Sequence, residues 1–418
     1  MIRKPASTFA LTATALALLG AATVASPARA EDDTITLGAA VSLTGSYSTL
    51  GKNTQDGYDF AVRRLNEMGG VKIGGKSYKF AVKYYDDEST SARGAQLAER
   101  LIAQDGVKFL LGPYSSGLTK AIAPVTEKYK VPMVEANGAD RDLFQNGYKY
   151  LFAVLSTSDQ YVSSAVDLLA ETAKAAGKDP AGMKVAVAVE NDPFSQDVRD
   201  GVAETAKKYG MKLVVDDKLP RDLNDMTATL TKVRALKPDL LIVSGHAKGA
   251  VLAVRSLSES KLDLPMVATT HCDAAQIAEK MGKPAEYFLC GSQWDRTLSY
   301  KDKWFGTADE FAQAFEKVYN YPTSYQVAES AAGVLVFADA MERAGSTDPE
   351  KVRDALAKTD IMTFFGPVKF DETGKNPAKP MVLYQVQDGQ YRVVAPTKWA
   401  AAKFRYPMPP WSQRTAEK

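Results

Sequence analysis

The sequence predicts an α/β protein built as two similar lobes, and three observations carry that prediction. Short apolar strands alternate with amphipathic helices along most of the chain, the rhythm of parallel sheets with helices on both faces. Two stretches can be overlaid: Gly112, Pro132, Met133 and Val134 recur at one constant offset as Gly245, Pro265, Met266 and Val267, across two strands and the helix between them. Finally, the chain is too long for one hydrophobic core, with about 388 residues left once an N-terminal export segment is set aside.

That segment, residues 1–30, reads as a cleavable signal. "MIRK" is its basic start, "FALTATALALLGAATVA" its apolar run, and "PARA" before "EDD" an A-x-A cleavage site after Ala30. The run is short and interrupted for a membrane span, which needs about 20 residues. No cysteine follows it to carry a lipid. Removing Arg3, Lys4 and Arg29 takes the 52 basic side chains to 49, against 50 acidic ones. A nearly neutral chain lacks the basic excess that nucleic-acid binding demands. Cys272 and Cys290 are the only cysteines. In an exported protein such a pair is a candidate disulfide rather than a disulfide framework.

The elements follow in order. Ile35–Leu43 reads as a strand, and the helix after it carries Tyr58, Ala61, Val62 and Leu65 on one face, with Gly69-Gly70 as its stop. "VKIGGKSYKFAVKYYDD" reads as a hairpin turning at Gly74-Gly75. A helix through Ala95, Ala98 and Ile102, the strand "VKFLLG", a helix with Ile122, Val125 and Tyr129, and the strand "VPMVEA" complete the first run. The second run opens with strand Lys184–Val189 and a helix with Val198, Val202, Ala206 and Tyr209. "KLVVDD", a helix through Leu230 and Val233, "PDLLIVSG", a helix with Val251, Val254 and Leu257, and "DLPMVATT" follow. The tail "RYPMPPWSQRTAEK" reads as a proline-rich extended strap ending in disorder.

In open parallel sheets, ligands bind beyond the carboxyl ends of the strands, near a switch in strand order. Two facing lobes would therefore line a cleft with loops 43–51, 112–117, 135–140, 190–195, 244–249 and 269–273. Three chemistries compete for the turn "GPYSSG". A nucleophilic serine fails, because Pro113 breaks the G-x-S-x-G elbow and a base could come only from His246 or His271 in the other lobe. A phosphate cradle fails, because Leu118 stands where a P-loop lysine would follow Gly117. A ligand cradle remains: a helix N-terminus with free N–H groups, plus the hydroxyls of Ser115, Ser116 and Thr119. His246, His271, Cys272 and Cys290 lack the tight spacing of a zinc site. Aromatics in post-strand loops, Tyr47, Tyr114, Phe194 and Trp294, are pocket candidates, with Phe194 first and Tyr114 last.

From "ITLGAAVSLTGSYSTLGKNTQDGYDFAVRRLNEMGG" through "GVKFLLGPYSSG", "VPMVEANGAD", "KVAVAVENDPFSQDV" and "KPDLLIVSGHAKGAVLAVRSL" to "FFGPVKFDETGKNPAKPMVLYQVQDG", the chain resembles the branched-chain amino acid and amide-type solute-binding proteins of ABC importers. The resemblance implies a type I periplasmic binding fold. Two Rossmann-like lobes, 34–156 plus 293–378 and 157–292 plus 379–405, would be joined by a three-crossover hinge near Leu155–Ser158, Gly291–Asp295 and Pro377–Met381. Residues 406–418 form the tail. The resemblance places the ligand carboxylate on Ser115 and Ser116 and on the backbone of Asn137, Gly138 and Ala139. Other cleft contacts fall on Tyr47, Leu50, Phe194, His246, Thr270 and His271. Leucine-type binders pair the ligand ammonium with an acid near Thr270–His271. No carboxylate occupies that position here, although Asp273 is close. Two positions where such binders pair cysteines carry Ser89 and Ser115.

The expectation is therefore a periplasmic, monomeric, non-enzymatic binding component without cofactor, metal or catalytic residue. It would capture an amino acid, an amide or an aromatic or aliphatic carboxylate by hinge closure and deliver it to an inner-membrane permease. The alternative is a periplasmic ligand-sensing domain for a receptor, with an exported hydrolase after it.

Overall fold

Two sheets, each wound in the same order, organise the chain. The computed structural model describes residues 33–222 and 224–414, so the expected signal at 1–30 and the last four residues of the tail lie outside it. The first sheet takes β1 (Thr34–Val41), β2 (Val71–Ile73), β3 (Lys76–Asp86), β4 (Leu110–Leu111), β5 (Met133–Glu135) and β6 (Leu151–Ala153), in the order β2-β3-β1-β4-β5-β6. The second takes β7 (Lys184–Glu190), β8 (Lys212–Leu219), β9 (Leu240–Ser244), β10 (Val267–Thr270) and β11 (Leu289–Ser292). Two short ribbons follow, β12 (Lys301–Asp302) with β13 (Gly306–Thr307), and β14 (Asp360–Thr363) with β15 (Gly366–Lys369). The chain then returns to the second sheet with β16 (Val382–Gln387) and β17 (Gln390–Ala395), giving β17-β16-β11-β10-β9-β7-β8.

The parallel cores read β3-β1-β4-β5-β6 and β8-β7-β9-β10-β11. This is one winding used twice, the three-dimensional form of the repeat at Gly112 and Gly245. Strand order reverses between β1 and β4 and again between β7 and β9, so each lobe has its switch point there. The second sheet is mixed rather than purely parallel, since β16 pairs antiparallel with both β11 and β17.

The helices α1 (Ser48–Glu67), α2 (Ser91–Ala103) and α3 (Ser116–Tyr129) serve the first sheet, and α4 (Ser163–Ala175), α5 (Pro193–Lys208), α6 (Thr227–Leu236) and α7 (His246–Ser260) the second. Tyr58, Ala61, Val62 and Leu65 of α1 are buried, as their spacing predicts. Asp192 caps α5, accepting from the Ser195 N–H at 3.3 Å, with Pro193 at the first helical position. After short α8 (Cys272–Ala275) and α9 (Ile277–Met281), the chain returns to the first lobe with α10 (Ala308–Tyr319), α11 (Tyr325–Ala344) and α12 (Pro349–Leu356). Thr307 and Glu310 form a reciprocal capping box on α10. Helix α11 is apolar on nearly every face and is buried against α1 and β5. Gly57 permits that approach: a Cβ there would lie 2.4 Å from the Val327 carbonyl oxygen.

Three buried residues, one from each expected crossover, are tied in a ring. The Gln293 side chain accepts from the Ser156 N–H at 3.1 Å and donates to the Ser156 carbonyl at 2.9 Å. The Ser156 hydroxyl donates to the Lys379 carbonyl at 2.6 Å, and the Lys379 ammonium donates to the Gln293 carbonyl. The described part of the tail is packed down rather than loose. Met408 N–H donates to the Pro265 carbonyl at 2.8 Å, and the indole of buried Trp411 donates to the Leu262 carbonyl at 2.9 Å. Among the described residues, no helix is long and apolar enough to cross a membrane.

Candidate functional site

The loops leaving the carboxyl ends of the strands meet where the two switch points face each other. From the first lobe, the loop after β1 brings Tyr47 and the loop after β4 brings Tyr114. The β1 loop is fixed by Ser89, whose hydroxyl accepts from the Tyr47 N–H at 3.0 Å and donates to the Thr44 carbonyl at 2.6 Å. From the second lobe, the starts of α5 and α7 bring Phe194 and His246, and the end of β10 brings His271. Both histidines have left-handed backbone, φ 52° and 61°. Few non-glycine residues adopt that conformation, and it concentrates at functional sites.

These side chains form one buried aromatic box. The Tyr114 hydroxyl bonds His246 Nδ1 and, at 3.0 Å, His271 Nε2, so a single phenol of the first lobe joins both histidines of the second. Ring centroids lie 5.3 Å apart for Phe194–His246, 5.1 Å for Phe194–His271, 5.0 Å for Tyr47–His246 and 5.0 Å for Tyr161–Phe194. Leu50 belongs to a small apolar cluster with Tyr47, Tyr114, Leu118 and Ala274, which also spans the lobes. A cavity of about 210 Å³ opens beside the box, lined by Tyr47 and Leu50 on one side and Glu190, Arg221 and His246 on the other. A larger one, about 330 Å³, shares its Thr49, Ala247 and Lys248 walls but contains none of the aromatic rings. The smaller cavity is therefore the candidate site.

The two histidines are electrically different. Burial works against charge on His246, but Asp192 outweighs it through its charge and a 3.3 Å bond from Nε2, with Glu190 adding to the effect. The pKa of His246 is raised above the ordinary value. Burial, and then the charge of His246, hold His271 well below it. A charged His246 donates from both nitrogens, to Asp192 and to the Tyr114 oxygen, so the Tyr114 proton points to His271 Nε2. With His246 protonated, His271 Nδ1 is an N–H donor with no partner among the described residues. Burial raises Glu190 to about 7, although His246 and Arg221 pull the other way. Burial also opposes charge on Asp192, but His246 and the Ser195 hydrogen bonds hold it below the ordinary carboxylate range.

Glu190, Asp192 and His246 each bring a ligand atom to within 4.8 Å of the others, so they could hold a metal. Arg221 already places a positive charge beside Glu190 and opposes a dication there. The cysteines of the metal set considered from sequence are joined as the Cys272–Cys290 disulfide.

Several expected ligand groups are used up by the scaffold. Ser116 Oγ accepts from the Ala139 and Asp140 N–H groups at 3.0 and 3.1 Å, so it ties loop to loop instead of facing the cavity. The Asn137 and Gly138 N–H groups donate to Glu135 Oε1 at 2.6 and 2.7 Å, so a carboxylate of the chain itself occupies the cradle expected for a ligand carboxylate. Ser115 faces the Tyr47 phenol at the α3 N-terminus. The Thr270 hydroxyl lies 3.3 Å from that of Ser244 beneath the site. Asp273 is spent on the Tyr325 and Ala274 N–H groups. Trp294 packs on Phe311 and Phe364 in the core. Tyr114, ranked last from sequence, is the central contact; Glu190 and Asp192 lie in the expected cleft loop 190–195 without being candidates themselves, and Arg221 lies outside every expected loop. A signal for Asp192 existed in "NDPFS", an acid before proline at a helix start.

Known proteins share this architecture. Leu/Ile/Val-binding protein homolog 8 of Brucella abortus (strain 2308) is 25% identical over 382 residues, covering 89% of this chain and 93% of that one. A leucine-binding protein of Thermotoga maritima MSB8 superposes with a TM-score of 0.75 at 21% identity, covering 86% of this chain and 98% of the other. An ABC-transporter solute-binding protein of R. palustris in complex with benzoate gives a TM-score of 0.72 at 18% identity, covering 86% and 95%. These likenesses show the type I periplasmic binding fold. The profile described as periplasmic binding protein matches residues 34–390, and with that match the chain belongs to the periplasmic binding protein family.

Proposed function

We propose that this protein, a periplasmic binding protein of the branched-chain amino acid ABC-transporter type, captures a small organic solute between its lobes and delivers it to an inner-membrane permease. The observation that carries the reading is the Tyr114 hydroxyl bonded to both His246 and His271 across the lobes. The solute is an amino acid, an amide or a carboxylate with an apolar or aromatic body that packs against Phe194, Tyr47 and Tyr161. Two of the similar proteins point the same way, one named for leucine and one holding benzoate.

The lobes, 34–156 plus 293–378 and 157–292 plus 379–405, pivot on the crossovers that meet at Ser156, Gln293 and Lys379. A solute touching both lobes favours the closed form by its differential affinity, and only that difference shifts the equilibrium. The apolar body contributes roughly 25 cal/mol per Å² buried, and no chemical step is required.

A thermal-shift screen of leucine, isoleucine, phenylalanine, benzoate and benzamide identifies the solute class, and calorimetry then compares wild type with Phe194→Leu. The expected result is 1:1 binding weakened at least tenfold in the variant, since about 1.4 kcal/mol of packing suffices for that. Equal affinity in both proteins would move the site elsewhere.

A further inference from the structure

The first turn of α11 carries a buried polar cluster beside the aromatic box. The Tyr325 N–H donates to Asp273 Oδ2 at 3.1 Å, and its ring lies 5.9 Å from His271, so this turn faces the second lobe at the box. Next to Tyr325, Gln326 is fully buried and, among the described residues, neither its Oε1 nor its Nε2 has a partner. Glu329 Oε2, three residues on and on the same helix face, and Asn137 Oδ1 from the loop after β5 are likewise buried and unpartnered.

The network fixes which way Asn137 points. The Ser330 hydroxyl donates to the Gln326 carbonyl at 2.6 Å, so its oxygen must accept from Asn137 Nδ2 at 3.0 Å. Asn137 Oδ1 is therefore an acceptor turned away from Ser330. Buried polar groups without partners are destabilising and few in native proteins, so several together beside the box call for a hydrogen-bonding partner.

A bare carboxylate does not suit this cluster. It brings no N–H to Asn137 Oδ1 or Gln326 Oε1, and the N–H groups that would welcome it are already given to Glu135. An ammonium supplies N–H groups but needs an ionised partner, whereas burial pushes Glu329 well above the ordinary carboxylate range. We propose that Asn137, Gln326 and Glu329 form a subsite for a neutral carboxamide head, narrowing the solute to an amide. The ligand N–H groups donate to Gln326 Oε1 and Asn137 Oδ1, and its carbonyl accepts from Gln326 Nε2. This rests on the cleft being the solute site.

The test uses matched pairs, benzamide with benzoate and 4-methylpentanamide with 4-methylpentanoate, on wild type, Gln326→Met and Phe194→Leu. The amides are expected to bind wild type more tightly than their acids. Gln326→Met should weaken amide binding about tenfold or more. Without ligand it should melt above wild type, because a buried unpaired amide is gone. A scaffold role predicts the opposite, a lower melting temperature. The proposal is overturned if wild type binds neither amide or prefers the acids, if Gln326→Met binds amides like wild type, or if it melts lower. Where Gln326→Met changes nothing but Phe194→Leu weakens binding, this subsite fails and the cleft stands. Where neither variant matters, the cleft reading fails too.

Discussion

Asp192, His246, Tyr114 and His271 form a hydrogen-bonded series in which Asp192 raises the pKa of the first histidine, while burial holds that of the last well below the ordinary value. Only two histidines exist in the chain, so each can be followed by NMR without ambiguity. We expect one imidazole to titrate above the ordinary 6.5 and the other to stay neutral far below it. Asp192→Asn should lower the first, because burial then acts on it with less opposition. The signs for stability differ. His246, with its raised pKa, adds stability that is full below about pH 6.5 and is lost as pH rises through its folded value. His271, with its depressed pKa, costs stability as pH falls below about 6.5. Two histidines titrating together near 6.5 would remove this account. The series was only half legible in the sequence. Both histidines fall in the expected cleft loops 244–249 and 269–273, but nothing along the chain shows that Tyr114 reaches across the lobes to join them.

At the scale of elements, periodicity is a guide where one face of an element is buried and the other wet, although Val251, expected on the inner face of α7, is exposed. Helix α1 shows it, with Tyr58, Ala61, Val62 and Leu65 inside. Periodicity offers little at α11, which is buried on nearly every side and so has hardly a polar face to mark its phase. The legible signal there is of another kind, Gln326 and Glu329 set within an apolar run. The packing of α11 on α1 predicts that Gly57→Ala destabilises the protein by about 1–3 kcal/mol, since the added Cβ strikes backbone. Urea unfolding measures it, and an unchanged midpoint would show that the helices can separate at no cost. In the loop after β5, where the resemblance implies contacts to a ligand carboxylate, Glu135 sits two residues back on the strand end and turns around to accept from the Asn137 and Gly138 N–H groups.

For the whole molecule, the doubled winding explains why the site lies where it does. Each lobe opens at its own switch point, and the hinge sets the two openings face to face. The ring of Ser156, Gln293 and Lys379 ties the three expected crossovers to one another. Gln293→Ala leaves the buried Ser156 N–H and carbonyl without partners, and is expected to destabilise the protein by about 1–3 kcal/mol. An unchanged unfolding midpoint would show that the crossovers are independent.

The central claim is closure over a solute, and small-angle X-ray scattering tests it most directly. With the tightest-binding member of the thermal-shift panel at saturation, the radius of gyration should fall relative to the solute-free protein. Phe194→Leu should need at least about tenfold more solute to reach the same compaction. Saturable binding with no change in the radius of gyration of the wild type, from a solute-free state that is already open, would contradict it.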